Sequence, residues 1–222
     1  MRLILEMDID KALLSLSKRL IKELKDDKNV LWLVSGGSNI SSAVKVMSSI
    51  PEALKIQLTI MPVDERYGEV GHSDSNYHQL FVSGFKPGDS IFLNVLEANL
   101  SIEATSDRYK AIAGQAFEEA DIVIALLGVG TDGHIAGILP NSPASKEDRK
   151  YVIEYDSEGF KRLTLTFPAL KRIDAAYVYV YGESKLLALT NLTSHQLPPE
   201  IQPAQILKAL REAYVYNDQL DN

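Results

Sequence analysis

A carboxylate, a glycine and an imidazole stand in succession at Asp132, Gly133 and His134, inside the stretch LLGVGTDGHIAGILP that follows an apolar run. An imidazole whose ordinary pKa is about 6.5 can take a proton from water near neutral pH, and a carboxylate two residues away can fix its tautomer. The chemistry on offer is general-base catalysis. An ordinary Asp-Gly turn carrying an exposed histidine accounts for the same tripeptide without any chemistry. Gly128, Gly130 and Gly133 also spell G-x-G-x-x-G, the spacing of a dinucleotide-binding loop. That loop needs a helix opening at its last glycine. Here Pro140 and Pro143 leave little room for one, and Gly137 weakens it further. The glycines are better read as a tight loop that brings backbone N–H groups close to a ligand.

Three further segments could meet such a ligand. SGGS, residues 35–38, runs into a predicted helix near Asn39. Gly36 and Gly37 permit close approach, and Ser38 with the helix-start N–H groups supplies donors for an anion. The P-loop lysine is absent, so a single phosphate fits better than a nucleoside triphosphate; Ser38 or Asn39 acting simply as a helix N-cap is the plain alternative. Asp64, Glu65 and Arg66 follow a predicted strand as a block, and His72, Asp74, Asn76 and His78 come after them. Their spacing matches no recognised ligand pattern, and no metal is expected. Arg162 opens RLTLTFPAL, and Lys185 sits at a predicted helix start, where the helix dipole disfavours a cation and a ligand would favour one.

The elements that must position these residues alternate. Ile9, Leu13, Leu16, Leu20 and Leu24 recur at three- and four-residue steps, which predicts an amphipathic helix. Strands are predicted at 29–34, 56–63, 90–95, 121–130, 151–155, 162–167 and 175–182, and further helices at 40–50, 109–120, 183–192 and 203–217. Such alternation predicts an α/β fold, a mostly parallel sheet flanked by helices on both faces, with ligands bound beyond the carboxyl ends of its strands. No linker or repeat divides the chain, so residues 1–222 are expected to form a single domain. A net charge of −7 argues against extended nucleic-acid or anionic-membrane binding but allows a small anion held by local cations. There is no cysteine for disulfide or thiolate chemistry. No run approaches the ~18 apolar residues of a membrane span, and the N-terminal apolar run is too short for a signal peptide. Cytoplasmic residence is the resulting expectation.

SGGS, DERYGEVGHSDSNY, GVGTDGHIAGILP, RLTLTFPAL and GESKLLAL occur in the order and approximate spacing of the 6-phosphogluconolactonases, within the glucosamine-6-phosphate isomerase/6-phosphogluconolactonase superfamily. The resemblance spans about residues 30 to 192. It implies a modified Rossmann-like, three-layer fold of the sugar-phosphate isomerase type. It also implies hydrolysis of 6-phosphoglucono-δ-lactone to 6-phosphogluconate without metal or organic cofactor, by a monomer or small homo-oligomer whose partner is the phosphosugar lactone.

Carried over by resemblance, His134 activates water and Asp132 holds or polarises it, while Arg66 faces the lactone or its phosphate. Gly36, Gly37 and Ser38, with Arg162 and Lys185, bind the phosphate, Gly130 belongs to the substrate loop, and Asp64 and Asn76 shape the pocket floor. The aminosugar isomerase/deaminase branch resembles DGHIAFNEP, with a carboxylate five residues after the histidine. Leu139 stands there in this chain, and an aliphatic side chain moves no protons. HIAG differs from the HTAS common among lactonases, SGGSNI lacks the usual Thr-Pro, and the only tryptophan is Trp32 rather than one near the C-terminus. A sugar-phosphate sensor on the same fold is the non-catalytic alternative, in which the His–Asp pair would be expendable.

Overall fold

The computed structural model describes residues 1–157 and 159–221. Its larger sheet contains β1 (Arg2–Leu5), β2 (Val30–Val34), β3 (Leu58–Pro62), β5 (Ile91–Phe92), β6 (Ile122–Gly128), β9 (Ala175–Val180) and β10 (Glu212–Asn217). These seven strands run in the order β1-β10-β9-β6-β2-β3-β5, and every pairing is parallel. A smaller antiparallel sheet joins β4 (Asp64–Arg66), β8 (Phe160–Leu165) and β7 (Val152–Ser157) in that order.

The central strands are apolar on both faces because both faces are covered. Along β2, Val30, Trp32 and Val34 enter one core while Leu31 and Leu33 enter the other; along β6, Ile122, Ile124 and Leu126 alternate with Val123, Ala125 and Leu127 in the same way. The first core is closed by α1 (Ile9–Lys25), α2 (Ile40–Ser49) and α3 (Asn76–Val82). The second is closed by α4 (Ile102–Glu119), the short α5 (Phe167–Leu170), α6 (Leu186–Ser194) and the smaller sheet. The three-layer α/β architecture read from the sequence is therefore the architecture observed.

Several local readings need correction. Residues 203–217 form no α-helix: Pro203–Ala209 is a 3-10 segment, and β10 follows. The apolar residues of EAYVYN alternate, with Ala213 and Val215 in one core and Tyr216 in the other, so a period of two holds in place of the helical period. The strand expected at 90–95 is reduced to Ile91–Phe92. β1, β4 and α3 lie outside the elements expected from sequence; two are strands of four and three residues, too short to show a period. Arg162, expected as the first residue of a strand at 162–167, is the third residue of β8.

Candidate functional site

The loops beyond the carboxyl ends of β2, β3 and β6 converge with β8 and the start of α6 around a cleft of ≈ 350 Å³. Of the residues singled out from sequence, Gly36, Gly37, Ser38, Asp64, Arg66, Asn76, Gly130, His134, Arg162 and Lys185 line it. Asp132 stands behind the His134 ring and faces a neighbouring hollow that also contains Leu139. Ser35, Asn39, Thr131 and Ala136 line the cleft as well and were not anticipated as ligand-facing. All four lie in or directly beside motifs quoted from sequence: Ser35 opens SGGS, Asn39 follows it at the helix start, and Thr131 and Ala136 belong to GVGTDGHIAGILP.

β6 ends at Gly128, and the chain then turns on itself: Gly133 N–H donates to the Gly130 carbonyl, and Gly130 N–H donates to that of His134, both at 3.0 Å. Inside this turn Asp132 Oδ1 accepts from His134 Nδ1 at 2.7 Å and from the His134 backbone N–H at 3.1 Å. An ionised carboxylate on Nδ1 leaves Nε2 as the ring nitrogen able to take a proton. Gly130 is required for this packing, since a Cβ there would run into the His134 ring and the Asp132 carboxylate. Burial pushes the Asp132 carboxyl up, but the hydrogen bonds from His134 outweigh it and hold the group below its ordinary value.

The smaller sheet braces the far side of the loop. Thr164, fully buried on β8, accepts from Gly137 N–H at 2.9 Å, and the Tyr155 hydroxyl on β7 donates to the Gly137 carbonyl. Ala136, between His134 and Gly137, adopts φ +51, a left-handed conformation that a residue with a Cβ rarely takes.

The cationic wall comes from β4, β8 and the 3-10 turn Glu183–Lys185 that precedes α6. Arg66 and Arg162 lie directly opposite each other in the antiparallel pair, and both guanidinium groups approach the Phe160 ring, at 6.0 and 5.7 Å from its centroid. Arg66 Nη1 donates to Asn76 Oδ1 at 2.5 Å, and Asn76 Nδ2 donates to the Asp64 carbonyl at 2.9 Å. Gly36 makes room for that carboxamide, because a Cβ there would overlap it. Lys185 is half-buried and donates to the Val129 carbonyl; burial lowers its pKa and the Asp132 charge partly restores it. Neither Ser38 nor Asn39 caps α2 through its side chain, so the capping alternative fails for this loop.

His72 and His78, considered for a metal, do not converge: His72 Nε2 contacts the Arg66 carbonyl at 3.0 Å, and His78 lies within α3. Among the described residues no group of three or more His, Cys, Asp or Glu side chains is placed to hold an ion. Sequence reasoning also passed over Glu65. It is fully buried between Asp64 and Arg66, and its carboxylate accepts four hydrogen bonds. Burial pushes that carboxyl up, against the four donors.

The chain is similar to known proteins in sequence and in fold. The 6-phosphogluconolactonase of Synechocystis sp. is 25% identical over 227 residues, covering 95% of this chain and 91% of its own. The crystal structure of 6-phosphogluconolactonase from Thermotoga maritima matches with a TM-score of 0.78 at 21% identity, over 97% of both chains. A monomeric glucosamine-6-phosphate deaminase matches with the same TM-score of 0.78 at 20% identity, over 99% of this chain and 98% of its own, so the fold does not separate the two activities. The sequence pattern of the glucosamine-6-phosphate isomerases/6-phosphogluconolactonase family matches residues 6–216, and the chain belongs to that family.

Proposed function

We propose that this protein hydrolyses 6-phosphoglucono-δ-lactone to 6-phosphogluconate, the second step of the oxidative pentose phosphate pathway. The observation that carries the reading is the His134–Asp132 pair at a cleft lined by three cationic side chains, with Leu139 outside that cleft. The cleft offers a base, a place for a phosphate and no second carboxylate at the position used by the deaminase branch.

In the reaction, His134 Nε2 takes a proton from a water that attacks the lactone carbonyl carbon. Negative charge develops on the carbonyl oxygen, and the Arg66 guanidinium or the N–H groups of the glycine-rich loop stabilise it. Collapse of the tetrahedral species breaks the bond to the ring oxygen, which His134 reprotonates. Asp132 fixes the tautomer and stabilises the transient imidazolium. Gly36, Gly37, Ser38, Arg162 and Lys185 hold the 6-phosphate by charge-assisted contacts and so orient the distant carbonyl. Asp64 and Asn76 form the floor.

A positioned base is worth typically ~10²–10⁴-fold. His134→Asn should therefore lower lactone hydrolysis, followed by pH-stat, by about two orders of magnitude or more while 6-phosphogluconate still binds by calorimetry. Equal rates in the two proteins would remove His134 from the mechanism. Ammonia release from glucosamine 6-phosphate by an enzyme inactive on the lactone would assign the site to deamination, and binding without any turnover would make it a sensor. We read the chain as one unit working in the cytoplasm without nucleic acid, as a monomer or small homo-oligomer. The net charge of −7 supports the lack of a nucleic-acid partner in this reading; among the described residues no helix is long and apolar enough to cross a membrane.

A further inference from the structure

Glu65 has no solvent contact, and none of its four hydrogen bonds comes from a cation. Oε1 accepts from the N–H groups of Arg66 and Asn76, both at 2.7 Å; Oε2 accepts from the Ser75 hydroxyl at 3.0 Å and from Tyr77 N–H at 2.9 Å. All four partners donate. A carboxylate satisfies them all, whereas an amide or a protonated acid would turn a hydrogen toward one of them. A buried anion retained at this cost, outside the proton-transfer machinery, calls for a reason.

The bonds form a closed circuit. Glu65 fixes the backbone of Arg66 on β4 and the backbone at the start of α3, ten to twelve residues later. Asn76, placed by that anchor, uses one end of its carboxamide on the Asp64 carbonyl and the other on Arg66 Nη1. The guanidinium is thereby held against its own backbone through a neighbouring segment. Glu65 joins the two segments through three of its four hydrogen bonds, whereas the Asn76 carboxamide and the His72 ring each add one bond to a backbone carbonyl of β4. On the opposite side lies the Phe160 ring. We propose that Glu65 is a positioning residue, an anionic clamp that aims the Arg66 guanidinium into the cleft by locking β4 to the start of α3. The proposal rests on the lactonase reading only in taking Arg66 to face the substrate.

The test is a double-mutant cycle of Glu65→Gln with Arg66→Ala, read as kcat/KM for the lactone, with far-UV circular dichroism confirming the fold of each variant. Misplacement of a contact group by about 1 Å can cost on the order of 10²-fold. Glu65→Gln should therefore lower kcat/KM at least about tenfold in the natural background and less than about twofold when Arg66 is already alanine. An equal loss in both backgrounds would reduce Glu65 to a purely structural group and overturn the proposal. Should Glu65→Gln fail to fold, Ser75→Ala removes only the one side-chain donor to the clamp. Its smaller loss must likewise vanish in the Arg66→Ala background, and its persistence there overturns the proposal. If the natural protein turns over no lactone, the functional reading fails, and crystal structures decide the clamp separately. In Glu65→Gln, or in Ser75→Ala if only that variant folds, the guanidinium should leave Asn76 Oδ1; an unmoved guanidinium rejects the clamp.

Discussion

Asp132 serves two neighbours at once. It accepts from the His134 ring at 2.7 Å, and its charge is what supports the ammonium of Lys185 against burial. Because desolvation lowers the Lys185 pKa, the free enzyme should lose this cation, and with it phosphate affinity, at a pH below the ordinary lysine value. The alkaline limb of kcat/KM reports the free enzyme. Asp132→Asn removes the group that raises Lys185, so that limb should move to lower pH while the plateau also falls, since the imidazole loses its orienting partner. A pH–rate series on both proteins checks this; an alkaline limb that stays in place would separate Lys185 from Asp132. The pair Asp132–His134 was legible in sequence because its partners are two residues apart. Glu65 was not legible, because its donors at 75–77 meet it only after α3 has folded back on β4.

The elements around the cleft differ in how much side-chain change they tolerate. At the end of β2, Gly36 lies against the Asn76 carboxamide at the start of α3, and an added methyl would displace the group that holds Arg66. Gly36→Ala should cost about 1–3 kcal/mol, as overpacking does, and should weaken 6-phosphogluconate binding measured by calorimetry. Gly114 lies within α4, and a Cβ added there would meet nothing within 4 Å; Gly114→Ala should stabilise the protein by up to about 1 kcal/mol in urea titration and leave binding unchanged. Matching effects of the two substitutions would show that the Gly36 contact is not selective. The long helices could be read from local periodicity because each buries a continuous stripe, and the central strands from uninterrupted apolar runs because both their faces are covered. β10 could not, since PAQILKALREAYVYN carries apolar spacing compatible with both periods. Its slot between β1 and β9 decides for the strand.

On the scale of the whole molecule the site has no local owner. Its residues come from positions 35 to 185 of the sequence. The C-terminal segment reaches back to the Gly130–His134 turn, with Ala204 N–H donating to the Gly133 carbonyl at 3.0 Å and Gln202 donating to the Ala188 carbonyl at 2.7 Å. At the edge of the sheet the first strand pairs only with the last, and Asn217, fully buried, donates to the Ile4 carbonyl at 3.2 Å. Closure of the chain ends onto each other and onto the turn ties distant segments into a common unit. A single cooperative unfolding transition is therefore the expected behaviour, with loss of the site and loss of the sheet inseparable. Trp32, the one tryptophan, sits fully buried on β2 beside Phe85 and reports the sheet centre by fluorescence. In urea its signal, far-UV circular dichroism and lactone hydrolysis should fall together. Saturation with 6-phosphogluconate at a hundred times its Kd should stabilise the native state by about 2.7 kcal/mol and shift the two spectroscopic curves equally. A hydrolysis curve lost well before the fluorescence change would mean that the site melts apart from the sheet, and two spectroscopic transitions would divide the chain into separate units.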